Sequence, residues 1–210
     1  MHSEAQQAGI RKTLTFLLGA IALMVGLIVS NYLHRDTTLS RESAAKLGFI
    51  RFEQPRSVNL PMLSFQDGSP VSKMAFVGGW DFLYFGFTAC PDICPTTLAV
   101  MNKALLEDNK KNPRIHLVTV DPERDTPEQL RNYLAGFNSD FLGVTGAHED
   151  IASFATQVNV AFGKIPGSEK GSYTMDHTGS IVVMDPEGNY AGFIKAPHQP
   201  AQLREIMGGL

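Results

Sequence analysis

Hydrophobic positions divide the chain into two regimes. From Thr13 to Leu33 the sequence TLTFLLGAIALMVGLIVSNYL runs 21 residues without a charge. A helix of that length rises about 30 Å, enough to cross the hydrocarbon core of a bilayer. From Val58 onward the apolar positions recur at the short periods of a folded domain. Asp67-Gly68 between short apolar runs predicts a hairpin. Phe82 to Phe85 is almost wholly apolar and bounded by Gly79 and Gly86, the pattern of a strand buried on both faces. Leu98, Met101 and Leu105 stripe a helix that opens at Pro95, and Ile115 to Val120 form the next strand.

A second helix is announced by Thr126 as N-cap, Pro127 at the first helical position and Gln129 closing a capping box. Leu130, Tyr133, Leu134 and Phe137 are its apolar stripe. A short strand over 142–145, a helix striped by Ile151, Phe154, Ala155 and Val158, two strands joined at Asp185-Pro186-Glu187-Gly188, and a helix opened by Pro200 complete the series. Strands alternating with helices and closed by an antiparallel pair predict an α/β, thioredoxin-like sandwich around a mixed central sheet. The expected organisation is a cytoplasmic N-terminus over 1–12, a transmembrane anchor over 13–33, a polar tether with some helical character over 34–57, and the folded domain over 58–210.

Charge and composition narrow the setting. The chain has 210 residues, 43% of them hydrophobic, and a formal net charge of −3, which suits a domain with a real core and argues against a nucleic-acid partner. Arg11 and Lys12 precede the apolar run, so the positive-inside bias keeps the short N-terminus in the cytoplasm and exports the rest. SNYLHRDTT offers no small-x-small cleavage site, and no Arg-rich transit peptide precedes the run. The expected location is a bacterial cytoplasmic (inner) membrane, with a single pass and the domain in the periplasm.

The candidate chemistry lies in FGFTACPDICPTTL, which holds both cysteines of the chain, Cys90 and Cys94. Each precedes a proline and is thereby biased out of the α conformation. Pro95 suits a first helical position, which leaves Cys94 near an N-cap where the helix dipole lowers a thiol pKa. A disulfide closing so short a loop removes little chain entropy, about 2 kcal/mol or less. A stabilising disulfide, a thiol–disulfide oxidoreductase and a metal site all remain open on spacing alone. The other end of the fold bears on the choice. Thioredoxin-like oxidoreductases carry a cis-proline just before the terminal hairpin, whereas SYTMDHTGSIVVMD has no proline there and carries His177. The topology aims His177 at the cysteines. His2, His34, His116, His148 and His198 have ordinary explanations in a tail, a juxtamembrane stretch, a strand edge, a helix start and a loop. Two thiolates and an imidazole suit copper(I) and tolerate copper(II); zinc in a closed site would want a fourth ligand. Met175 could add a thioether, though packing is its expected role.

Three elements in order, FGFTACPDICPTTL, VTVDPERDTPEQLRNYLAGF and YTMDHTGSIVVMDPEGNY, resemble the SCO/SenC family of copper-binding proteins of cytochrome oxidase assembly. The resemblance covers roughly Leu60 to Gly208 and the N-terminal anchor. It implies one copper ion held by Cys90, Cys94 and His177 in a membrane-tethered, thioredoxin-like domain outside the cytoplasm. It also implies delivery to an apo cytochrome oxidase subunit, an upstream copper donor and a thiol reductant, and a protein that is not an enzyme. A membrane-tethered thiol–disulfide reductase is the alternative. The acidic loop of the second element reads chiefly as a strand-to-helix connection capped by Thr126. Asp121 could stand behind the metal ligands, and Asp176 could orient His177.

Overall fold

The computed structural model describes residues 4–33, 39–105, 112–169 and 171–210. It divides along the chain into two compact units, 1–38 and 39–210. The first contains a 30-residue helix, α1 (Glu4–Leu33). Its apolar side chains, Phe16 and Leu23 among them, are exposed. Among the described residues no helix is long and apolar enough to cross a membrane. Side chains are described without interruption only over 13–27 of the expected 13–33 span, and those of 28–33 lie outside the described residues. His2 and His34 lie outside them as well.

The second unit, Leu39–Leu210, is the folded domain. Its elements are α2 (Arg41–Lys46), β1 (Phe49–Arg56), β2 (Leu63–Phe65), β3 (Asp81–Gly86), α3 (Ile93–Ala104), β4 (Arg114–Thr119), α4 (Pro127–Ala135), β5 (Leu142–Gly146), α5 (His148–Gln157), β6 (Phe162–Pro166), β7 (Tyr173–His177), β8 (Ile181–Met184), β9 (Tyr190–Ile194) and α6 (Pro200–Gly208). Seven strands form one sheet in the order β1-β9-β8-β3-β4-β5-β2. The runs β3–β4 and β4–β5 are parallel, while β8, β9, β1 and β2 pair antiparallel, so the sheet is mixed as expected. Every residue of β3 and of β8 is buried, which requires cover on both faces. α3 and α6 pack on each other, and α4 and α5 lie against β5. The capping box of α4 forms as its sequence predicts, with Thr126 accepting from the Gln129 N–H and the Gln129 side chain accepting from the Thr126 N–H.

The sheet is larger than the hydrophobic pattern announces. Residues 41–46 and 49–56, expected within the tether, are α2 and β1, and β1 closes the sheet edge beside β9. FIRFEQPR carries two arginines, a glutamate and a proline, so its sequence reads as polar. Phe49 nevertheless is fully buried, and Phe52 packs edge-on against Tyr190 at 4.9 Å between centroids. Gly192 permits the approach: a Cβ there would meet the Ile50 carbonyl oxygen at 2.1 Å. The expected hairpin at Asp67-Gly68 forms a tight turn, with the Gly68 N–H donating to Phe65 O at 2.9 Å. Its second arm contributes only the isolated bridge from Ser64 to Pro70. The separate β6–β7 ribbon has no counterpart in the sequence reading, because β6 is almost wholly exposed and β7 buries only Met175 and His177 of its five residues.

Candidate metal centre

Strand β3 is the platform from which the cysteines are presented. It ends at Gly86, and the chain then turns, with the Cys90 N–H donating to Phe87 O at 3.3 Å. Helix α3 starts at Ile93, earlier than Pro95, so Cys94 is its second residue rather than its cap. Cys94 is fully buried, and its backbone N–H donates to the sulfur of Cys90 at 3.4 Å. The sulfur facing the helix N-terminus is therefore that of Cys90. The expectation that Cys94 has a lowered thiol pKa is corrected: burial, followed by the neighbouring Cys90 sulfur, pushes the Cys94 thiol up. Desolvation of a thiolate in the core outweighs the dipole at this position. Gly86 makes room for that sulfur, since a Cβ there would lie 3.1 Å from Cys94 Sγ.

His177 ends β7, 83 positions along the chain from Cys94. Its Nδ1 lies 3.2 Å from the Thr178 carbonyl, which can only accept, so the proton is on Nδ1 and the lone pair is on Nε2. Nε2 faces Cys94 Sγ at 3.4 Å. The rings of Tyr84 and Phe87 meet the imidazole edge-on at 5.7 and 6.2 Å and fix its plane. Burial first, against weaker opposing effects of Thr178 and Asp176, lowers the His177 pKa and keeps the ring neutral and able to ligate. The ligand atoms of Cys90, Cys94 and His177 all lie within 4.8 Å of one another. Bonds of about 2.0–2.3 Å to one ion would place such atoms roughly 3.5–4 Å apart, so side-chain adjustments of about an ångström close the site. Cys90 and His177 each keep 9% of their surface exposed, which leaves the site one open side. A soft donor set of two sulfurs and one nitrogen fits copper, and each thiol would surrender its proton on binding.

The neighbouring residues differ from the sequence reading. Met175 is buried in the core, as packing predicts. Asp176 is exposed, and the Thr178 carbonyl holds Nδ1 in its place. Asp121 accepts from Arg124 Nε and, at 2.9 Å, from the Tyr173 hydroxyl, so it braces β7 rather than a ligand. Arg124 also donates to Tyr173 O at 3.2 Å, and its guanidinium lies 4.0 Å from that ring's centroid. Glu123 pairs with Lys164 of β6 at 2.7 Å. Asp125 accepts from Thr88 in the cysteine loop and from Thr119 at the end of β4. The 121–125 loop thus reaches both ligand-bearing segments, which capping signals alone do not reveal. Of the other histidines, His116 is buried against Asp81, His148 opens α5, and His198 Nε2 donates to Gly179 O at 2.8 Å.

Comparisons with known proteins agree with this geometry. The SCO1/SenC family profile matches residues 62–209. A Stutzerimonas stutzeri protein whose name proposes copper binding is 36% identical over 159 residues, 73% of this chain and 77% of its own length. The structure of Bradyrhizobium japonicum ScoI with copper bound is similar at a TM-score of 0.63 and 32% identity, covering 70% of this chain and 94% of that one. Yeast Sco1 with copper bound is similar at 0.66 and 27%, covering 73% and 88%. A match over most of the folded domain, with the cysteine loop and the histidine strand inside it, shows that the chain belongs to the SCO1/SenC family.

Proposed function

We propose that this protein binds one copper ion through Cys90, Cys94 and His177 and delivers it to an apo subunit of a terminal cytochrome c oxidase during assembly. The convergence of three ligand atoms within 4.8 Å is the observation that carries the reading. Copper-bound relatives of the same fold support it. Three-coordination with one exposed side lets an incoming thiolate or imidazole attack the ion before the donor ligands leave, so copper passes by ligand exchange. The charge-free run from Thr13 to Leu33 anchors the chain in a bacterial inner membrane, with the domain in the periplasm beside its target. Copper comes from an upstream donor, and a thiol reductant keeps the cysteines competent, because a disulfide has no thiolate to offer.

Copper titration of the reduced protein with His177→Ala beside the parent tests the ligand set. Two thiolates alone hold copper(I), so the variant should lose copper(II) affinity far more than copper(I) affinity. Equal copper(II) affinity in the two proteins would remove His177 from the site.

One observation favours a second activity. Cys90 is partly exposed while Cys94 is fully buried. This arrangement suits a thiol–disulfide reductase in which Cys90 attacks a substrate disulfide and Cys94 resolves the mixed disulfide. The substrate would gain two electrons and leave as a dithiol, and Cys90–Cys94 would become the disulfide. Rapid insulin reduction that survives His177→Ala would favour this reading over copper delivery.

A further inference from the structure

The three ligands are held by different means. Cys94 is locked by burial in α3. His177 is fixed by strand pairing to Phe162, by two aromatic rings and by the Thr178 carbonyl. Cys90 lies in a turn outside any helix or strand, and its sulfur is held by its own neighbourhood alone, by a long 3.4 Å contact from the Cys94 N–H and by the adjoining Cys94 thiol. The nearest strong anchor is two residues earlier. The Thr88 N–H donates to Asp125 Oδ2 at 3.0 Å, and the Thr88 hydroxyl donates to Oδ1 at 2.6 Å. Thr119 donates to Oδ2 at 2.6 Å from β4, a buried central strand.

Asp125 is 1% exposed. Among the described residues no Lys, Arg or His forms a salt bridge with it. A buried carboxylate satisfied only by neutral donors is costly unless those donors are held in place. Thr119 fixes Oδ2, and the two carboxylate oxygens together then hold Thr88 through its N–H and its hydroxyl. We propose that Asp125 is a positioning residue of the copper site: through Thr88 it sets where the turn begins and so holds the Cys90 sulfur at ligand distance from Cys94 and His177. The proposal rests on the three-ligand reading above, and its test separates the two.

The test uses the full-length protein in detergent, reduced and metal-free, as Thr88→Val, Thr88→Ser and Asp125→Asn, with Leu134→Ala as a destabilised comparator in the same domain. Three quantities are read: the alkylation rate of Cys90, copper(I) affinity by competition with a chromogenic chelator, and the melting temperature. Thr88→Val and Asp125→Asn should alkylate severalfold faster at Cys90 and bind copper(I) about tenfold or more weakly. Thr88→Ser, which keeps the hydroxyl, should behave as the parent. Leu134→Ala should melt earlier with Cys90 reactivity unchanged. Parental alkylation and affinity in Thr88→Val would overturn the proposal, as would Leu134→Ala reproducing both changes through lost stability alone. If Asp125→Asn does not fold, the two Thr88 variants decide. If the parent itself binds no copper, the ligand reading fails, and the alkylation rates still decide whether Asp125 positions Cys90.

Discussion

A buried imidazole acts as a ligand only while it is neutral, and burial supplies that condition at His177. The same physics operates at His198, whose pKa burial also lowers from 6.5. For a base whose folded pKa is depressed, the unfolded chain takes up protons first as the pH falls. Stability is therefore whole above about 6.5 and declines as the pH drops from there toward the folded pKa. The melting temperature of the metal-free protein should fall over that window, and His198→Gln should flatten the fall. An equal fall in the variant would assign the acid sensitivity elsewhere. At this scale the cysteines and His177 are legible in the sequence because few residue types make soft ligands. The partners of Asp121, Asp125 and Asp176 are not, because a carboxylate accepts from whichever donors the fold brings to it.

Among the elements, β3 and α3 meet at the candidate metal centre with little room to spare. Gly86 ends the strand where a Cβ would meet Cys94 Sγ at 3.1 Å, Leu117 Cδ1 at 3.1 Å and Tyr84 Cε1 at 3.2 Å. Gly86→Ala forces one of three buried groups aside, at a cost of about 1–3 kcal/mol for overpacking. The sulfur is one of those groups. The variant should therefore bind copper more weakly as well as melt earlier, measured by chelator competition and calorimetry; unchanged affinity would show that the sulfur does not yield. The elements read correctly from sequence are those whose signals are local, such as the capping box of α4 and the apolar run Phe82 to Phe85 of β3. Strand β1 and the β6–β7 ribbon escape such reading. The partner of β1 is β9, far along the chain, and β6 and β7 pair with each other across the loop between Pro166 and Tyr173, with side chains that are largely polar or exposed.

For the whole molecule, the proposed tether to a membrane sets the region in which copper can be passed on. Expressed in a bacterium, the full chain should remain in the membrane fraction after alkaline carbonate washing, with the domain open to protease from the periplasmic side. Release by carbonate would exclude the anchor. The domain reaches back to Leu39, further than its hydrophobic pattern implies, because an edge strand needs to bury only part of one face. The amino-acid order by itself determined the α/β class, the cysteine spacing, the capping box of α4 and the charge-free run, since each depends on residues within a few positions of one another. Tertiary structure alone decided that the Cys94 thiol is pushed up instead of down, that His177 meets it, and that Asp125 grips the cysteine loop. Those outcomes depend on burial and on groups meeting across 37 and 83 positions of chain, distances over which no local pattern carries information.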